Sequence, residues 1–136
     1  MRLIVADDDL DMRQSMRLLL ERAGYEVELA PDGAAALESQ RARACDVLIT
    51  DIFMGESDGL EAIEKFRSEF PGVKIIVMSG GSRRFSSASY IATARLAGAD
   101  AALTKPFEIG RLLETLEKFA STDATVSARD PDPPGR

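Results

Sequence analysis

Val47-Leu48-Ile49-Thr50-Asp51 is a short apolar run closed by a carboxylate, and the same arrangement recurs along the chain. Leu3-Ile4-Val5 leads to Asp7-Asp8, Ile75-Ile76-Val77 leads to Ser79, and Ala101-Ala102-Leu103 leads to Lys105-Pro106. Near-continuous apolar runs of this length read as strands buried on both faces, which occur in parallel sheets covered by helices. The sequence therefore predicts an α/β fold, a doubly wound five-stranded parallel sheet with helices on both faces and strands over 2–6, 25–30, 46–50, 73–78 and 100–104. In such a sheet the polar groups that follow the strands converge at its carboxyl edge, where open α/β folds place their sites.

The stretches between the runs are long enough for right-handed helical crossovers. Met12, Met16, Leu19, Leu20 and Ala23 follow helical spacing up to Gly24, and Ile109, Leu112, Leu113, Leu116 and Phe119 do so near the other end. Asp32 is placed to cap a helix through Ala34 to Leu37. Ser57 or Asp58 is placed to start one carrying Leu60, Ile63 and Phe66, which Pro71-Gly72 ends. A further helix is expected over 86–98, with a face made mostly of alanine.

The 136 residues fit one domain by the prior of roughly 100 to 200 residues each. The domain is expected over 1–120, with a disordered tail over 121–136 that ends in Asp130-Pro131-Asp132-Pro133-Pro134. On this reading the domain works alone. A net charge of -6 argues against direct nucleic-acid binding, although Arg41, Arg43, Arg83 and Arg84 form local basic spots. One cysteine and no histidine exclude an internal disulfide and imidazole chemistry, and Cys45 reads as a small buried filler. Neither a signal peptide nor a run of membrane-spanning length is seen, so a cytoplasmic protein without membrane contact is expected.

Asp7, Asp8 and Asp51 held at adjacent strand ends would repel one another without a proton or a divalent cation between them. Oxygen donors alone select a hard ion, and magnesium is the natural choice. With its charge partly neutralised, Asp51 is a nucleophile for phosphorus that forms an acyl phosphate. Lys105 supplies a compact cation for the phosphoryl oxygens, and Ser79 a hydrogen-bond donor. Asp9 or Asp11 suits helix capping instead.

Together these residues resemble the receiver domain of bacterial two-component response regulators over about residues 1 to 120. The match lies in Asp7-Asp8, Asp51 within Leu48-Ile49-Thr50-Asp51-Ile52-Phe53-Met54, Asp58-Gly59, Ser79, Ala97-Gly98-Ala99 and Lys105-Pro106-Phe107. The resemblance implies the flavodoxin-like strand order 2-1-3-4-5. It also implies that Asp51 accepts a phosphoryl group from a histidine kinase or phosphotransfer protein. Asp7, Asp8, Asp51 and the Phe53 carbonyl would then hold magnesium. Output would pass to a downstream protein target or along a phosphorelay, from a monomer or a phosphorylation-dependent dimer. Apart from its own phosphorylation and dephosphorylation, no enzyme activity is implied.

The chain departs from that family in several places. Ala102 stands where an aromatic switch residue is common, and Gly55 where proline is usual. The 79–97 stretch is about four residues longer than in compact receivers, and loops of this kind are often functional. We expect it to order on phosphorylation or metal binding and present Arg83 and Arg84 to a partner. Phe53 and Gly81 occupy positions that tune water access to the acyl phosphate. A haloacid-dehalogenase phosphatase would carry its nucleophile after the first strand in an Asp-x-Asp motif, unlike Asp51. A pseudo-receiver would lack part of the set Asp7, Asp8, Asp51, Ser79 and Lys105.

Overall fold

Apolar side chains decide which strands lie inside. In β1 (Arg2–Ala6), β3 (Val47–Asp51) and β6 (Lys74–Ser79) every residue but the first of β1 and of β6 is buried, whereas β2 (Glu26–Ala30) and β7 (Ala101–Thr104) are only partly covered. The computed structural model describes the backbone of residues 1–54, 57–79, 87–104 and 109–129, and the side chains within these ranges except at 53–54, 57–59, 87–91 and 122–129. It divides into two units, Met1–Pro106 and Phe107–Arg136.

In the first unit the parallel sheet has the order β2-β1-β3-β6-β7, so the three most buried strands are central. Counting only the strands of this sheet, the order is 2-1-3-4-5, the flavodoxin-like arrangement expected. Its helices are α1 (Leu10–Arg22), α2 (Gly33–Ala42), α3 (Gly59–Glu69) and α4 (Ser87–Ala97). Because successive strand residues point to opposite faces, Ile4, Ala6, Leu48, Ile75 and Val77 form one layer. It packs with Ala36 and Leu37 of α2, Ile63 and Phe66 of α3 and Ala94 of α4. On the other face α1 lies along β1 and β2 and buries Met16 and Leu20. Ala94 is fully buried while Leu96 is 90% exposed, so the alanine face of α4 is the inner one.

The second unit is described as α5 (Ile109–Arg129). Leu112 and Leu116 are buried one turn apart, and Gly110, Arg111, Glu114, Glu117 and Lys118 are exposed. Ile109, Leu113 and Phe119 complete the stripe expected from the sequence.

Strand boundaries agree with the sequence reading to within a residue, with one consequence for the site. Asp51 and Ser79 are the last residues of β3 and β6 rather than the first residues beyond them. A short antiparallel pair, β4 (Phe53–Met54) with β5 (Ser57–Asp58), was not anticipated, and α3 starts directly after it at Gly59. The helix α5 continues past Ala120, so the domain limit drawn from the sequence falls inside it. Residues 130–136 lie outside the described residues.

Two glycines end helices in the left-handed region. Gly24 follows α1 at φ +99, and a Cβ there would meet nothing within 4 Å. Gly98 follows α4 at φ +128, and a Cβ there would stand 3.0 Å from Arg67 Cγ. Arg67 explains the close approach. Its Nε and one terminal nitrogen donate to the Gly98 carbonyl at 3.2 and 2.7 Å, and that nitrogen also reaches Asp100 Oδ2 at 2.7 Å. The other terminal nitrogen donates to the carbonyls of Pro71 and Val73 at 2.7 and 2.9 Å. A single guanidinium thus ties the end of α3 to the end of α4 and to the strand starts. Gly24→Ala is expected to cost about 1 kcal/mol through backbone strain, and Gly98→Ala about 1 kcal/mol more through displacement of Arg67. Denaturant unfolding of the two variants checks this, and equal losses would contradict the role given to Arg67.

Candidate functional site

The register of the sheet assembles the site. Ala6 pairs with Thr50, Thr50 with Val77 and Val77 with Ala102, so these four residues form one row across β1, β3, β6 and β7. One step toward the carboxyl edge come Asp7, Asp51, Met78 and Leu103, and one step further stands Ser79 beside Thr104. Asp7 and Asp51 therefore follow paired residues on adjacent strands, as the sequence predicts.

Both carboxylates are set into the fold rather than left at the surface. Asp7 is 1% exposed, Asp51 8% and Ser79 0%, whereas Asp8 is exposed. Burying a carboxylate is costly without hydrogen bonds or an opposite charge. Asp7 is held by its N–H donating to the Ala30 carbonyl at 3.1 Å and by its Oδ1 accepting the Asp9 N–H at 3.0 Å. Asp9 itself caps α1, accepting the N–H groups of Asp11 and Met12 at 3.0 and 3.3 Å, which is the structural role expected of it. Asp32 likewise caps α2 by accepting the Ala35 N–H at 2.8 Å. The Thr50 hydroxyl donates to the Asp51 carbonyl at 3.0 Å.

Oxygen donors at the end of a sheet fit a hard divalent cation, which is commonly held by one or two carboxylates with water completing its shell. Asp7 and Asp51 supply that pair. No group of three or more carboxylates or thiols close enough to hold a metal is formed among the described residues. The backbone of Phe53 belongs to β4, immediately beyond the edge. Lys105, Gly55, Gly81, Arg83 and Arg84 lie outside the described residues. Ala102, in the place of the aromatic, is partly buried against the layer formed with α2, α3 and α4.

The sequence reading missed Arg13. Its guanidinium donates to the Asp7 carbonyl at 2.7 Å. The signal available was weak, an arginine within the first turns of a helix that follows three aspartates, because a side-chain bond to main chain leaves no periodic trace.

The sequence model of the response regulator receiver domain matches residues 3–117. The chain is 39% identical over 113 residues to the response regulator MprA of Mycobacterium avium, covering 83% of this chain and 48% of that protein. It is 35% identical over 129 residues to the transcriptional regulatory protein ZraR of Salmonella typhimurium, covering 95% of this chain and 28% of that one. It thus spans about half of the first relative and under a third of the second. Among solved structures, the chemotaxis response regulator CheY4 of Vibrio cholerae superposes with a TM-score of 0.78 at 31% identity, over 87% of this chain and 97% of that one.

Cys45 takes no part in the acidic edge. It is buried, its N–H donates to Gln40 Oε1 at 2.7 Å, and burial pushes its thiol up to about 12. The thiolate is the reactive form, so at pH 8 the folded protein is expected to resist an alkylating agent that labels Cys45 rapidly once denaturant is added. Rapid labelling of the folded protein, followed by mass spectrometry, would contradict this burial.

Proposed function

This chain belongs to the response regulator receiver domain family, and on that premise we propose that Asp51 is its phosphoryl acceptor in a magnesium-dependent reaction. The placement of Asp7 and Asp51 one register step beyond Ala6 and Thr50, both largely buried at the carboxyl edge, carries the reading. A carboxylate oxygen of Asp51 forms a new bond to phosphorus as the donor's bond to phosphorus breaks. With a histidine kinase or phosphotransfer protein the group leaving is imidazole nitrogen. With acetyl phosphate it is acetate.

Magnesium supplies charge neutralisation between the carboxylates and the incoming phosphoryl oxygens. Asp7 and Asp51 would hold it, joined by Asp8 and the Phe53 carbonyl. Asp51 aligns for attack because β3 is fixed by β1 and β6 on either side. Ser79 donates its hydroxyl to a phosphoryl oxygen, and Lys105 neutralises the product with its ammonium. New charge-assisted bonds of this kind bias a two-state element, here the surface around α4.

The finer reading is a cytoplasmic response regulator that signals by binding a protein target or by passing its phosphoryl group onward. The net charge of -6 supports protein contacts over DNA binding. No helix among the described residues is long and apolar enough to cross a membrane. Transcriptional regulation is the role of ZraR and belongs to that protein.

Incubation with acetyl phosphate and magnesium, read by intact mass, is expected to give one phosphoryl adduct per chain. Chelation abolishes it, Asp51→Asn abolishes it, and Asp7→Asn slows its formation at least about tenfold. An undiminished adduct in Asp51→Asn would overturn the assignment, and continued turnover of a generic phosphate ester would indicate a phosphatase instead.

A further inference from the structure

We propose that Arg13 is a positioning residue that fixes the Asp7 main chain, so that a divalent cation meets a preformed acidic edge; this rests on the receiver reading of the same site. The Arg13 bond lies where the sheet ends. In a parallel strand the N–H and the carbonyl of one residue face the same neighbour, and the Asp7 N–H is bonded to Ala30 in β2. The strand β2 ends at Ala30, and the next residue, Pro31, has no N–H. The amide that would continue the ladder belongs to Asp32, where the chain is already opening α2. Arg13 brings a donor to the Asp7 carbonyl at this point, at 2.7 Å.

The bond closes a small circuit. The Arg13 N–H donates to the Asp9 carbonyl at 3.0 Å in the first turn of α1, and the Asp9 N–H donates to Asp7 Oδ1 at 3.0 Å. The side chain that grips the Asp7 main chain is therefore anchored through the residue that orients the Asp7 carboxylate. Hydrogen bonds with one ionised partner are roughly twice as strong as neutral ones, and this one is part-buried. Holding a metal-ligating group in place from behind is a known source of metal affinity, and removing such partners costs about 10- to 100-fold.

Charge makes the proposal testable by sign. As a cation near the acidic edge, Arg13 opposes magnesium binding through Coulomb repulsion, whereas as a positioning residue it favours binding. Loss of repulsion alone would tighten binding in Arg13→Met and leave Arg13→Lys unchanged. Loss of positioning weakens binding in both, since a lysine ammonium lacks the fixed fork of the guanidinium.

Calorimetric titration of the full chain and the two variants with magnesium chloride decides between these, with thermal unfolding in chelator as the check on folding. The dependence of the acetyl phosphate reaction on magnesium concentration supplies the second readout. Both variants are expected to bind magnesium about tenfold more weakly, with the adduct rate returning close to that of the unmodified protein at saturating magnesium. Unchanged or tighter binding in Arg13→Met, or in Arg13→Lys should Arg13→Met not fold, would overturn the proposal. A protein that binds magnesium but forms no adduct would refute the phosphoryl-acceptor reading while calorimetry still decides the role of Arg13.

Discussion

The lateral register of three buried strands is the constraint on which the site depends. Ala6, Thr50 and Val77 share one row, so the residues that follow them arrive together at the carboxyl edge although they are far apart in the chain. A slip of one residue in a strand would exchange its two faces. Leu48 would leave the layer packed on α2, α3 and α4, and Asp51 would lose its alignment with Asp7. Packing of the core and placement of the chemistry are thus one requirement.

The two ends of the sheet meet their polar obligations differently. At the amino end Asp100 accepts the Ile75 N–H at 2.8 Å, its own N–H donates to the Ile75 carbonyl at 2.8 Å, and Arg67 joins both to the end of α4. These groups close on one another and hold the scaffold. At the carboxyl end the main chain of Asp7 is tied down from β2 and α1 while its carboxylate lies at the edge shared with Asp51.

The fold was legible in the sequence wherever burial leaves a simple pattern. The central strands β1, β3 and β6 are covered on both faces and read as apolar runs; the caps Asp9 and Asp32 and the helix stop at Gly24 follow from local chemistry. The pairing of β4 with β5 was hidden because two-residue strands carry no periodicity. Gly98 was recognised as part of a motif, but the need for glycine there comes from Arg67, which is distant in sequence. At the site, Asp7, Asp51 and Ser79 were legible because each closes an apolar run. Arg13 was not, since it acts through a main-chain carbonyl, and Lys105 lies outside the described residues.

The most direct test of the account is to trap the acyl phosphate chemically and locate it. Protein treated with acetyl phosphate and magnesium, then reduced with borohydride and digested, should yield a peptide in which Asp51 alone has become homoserine, and only when magnesium was present. Modification at another residue, or at Asp51 without regard to magnesium, would contradict the claim that this carboxyl edge is a metal-dependent phosphoryl acceptor.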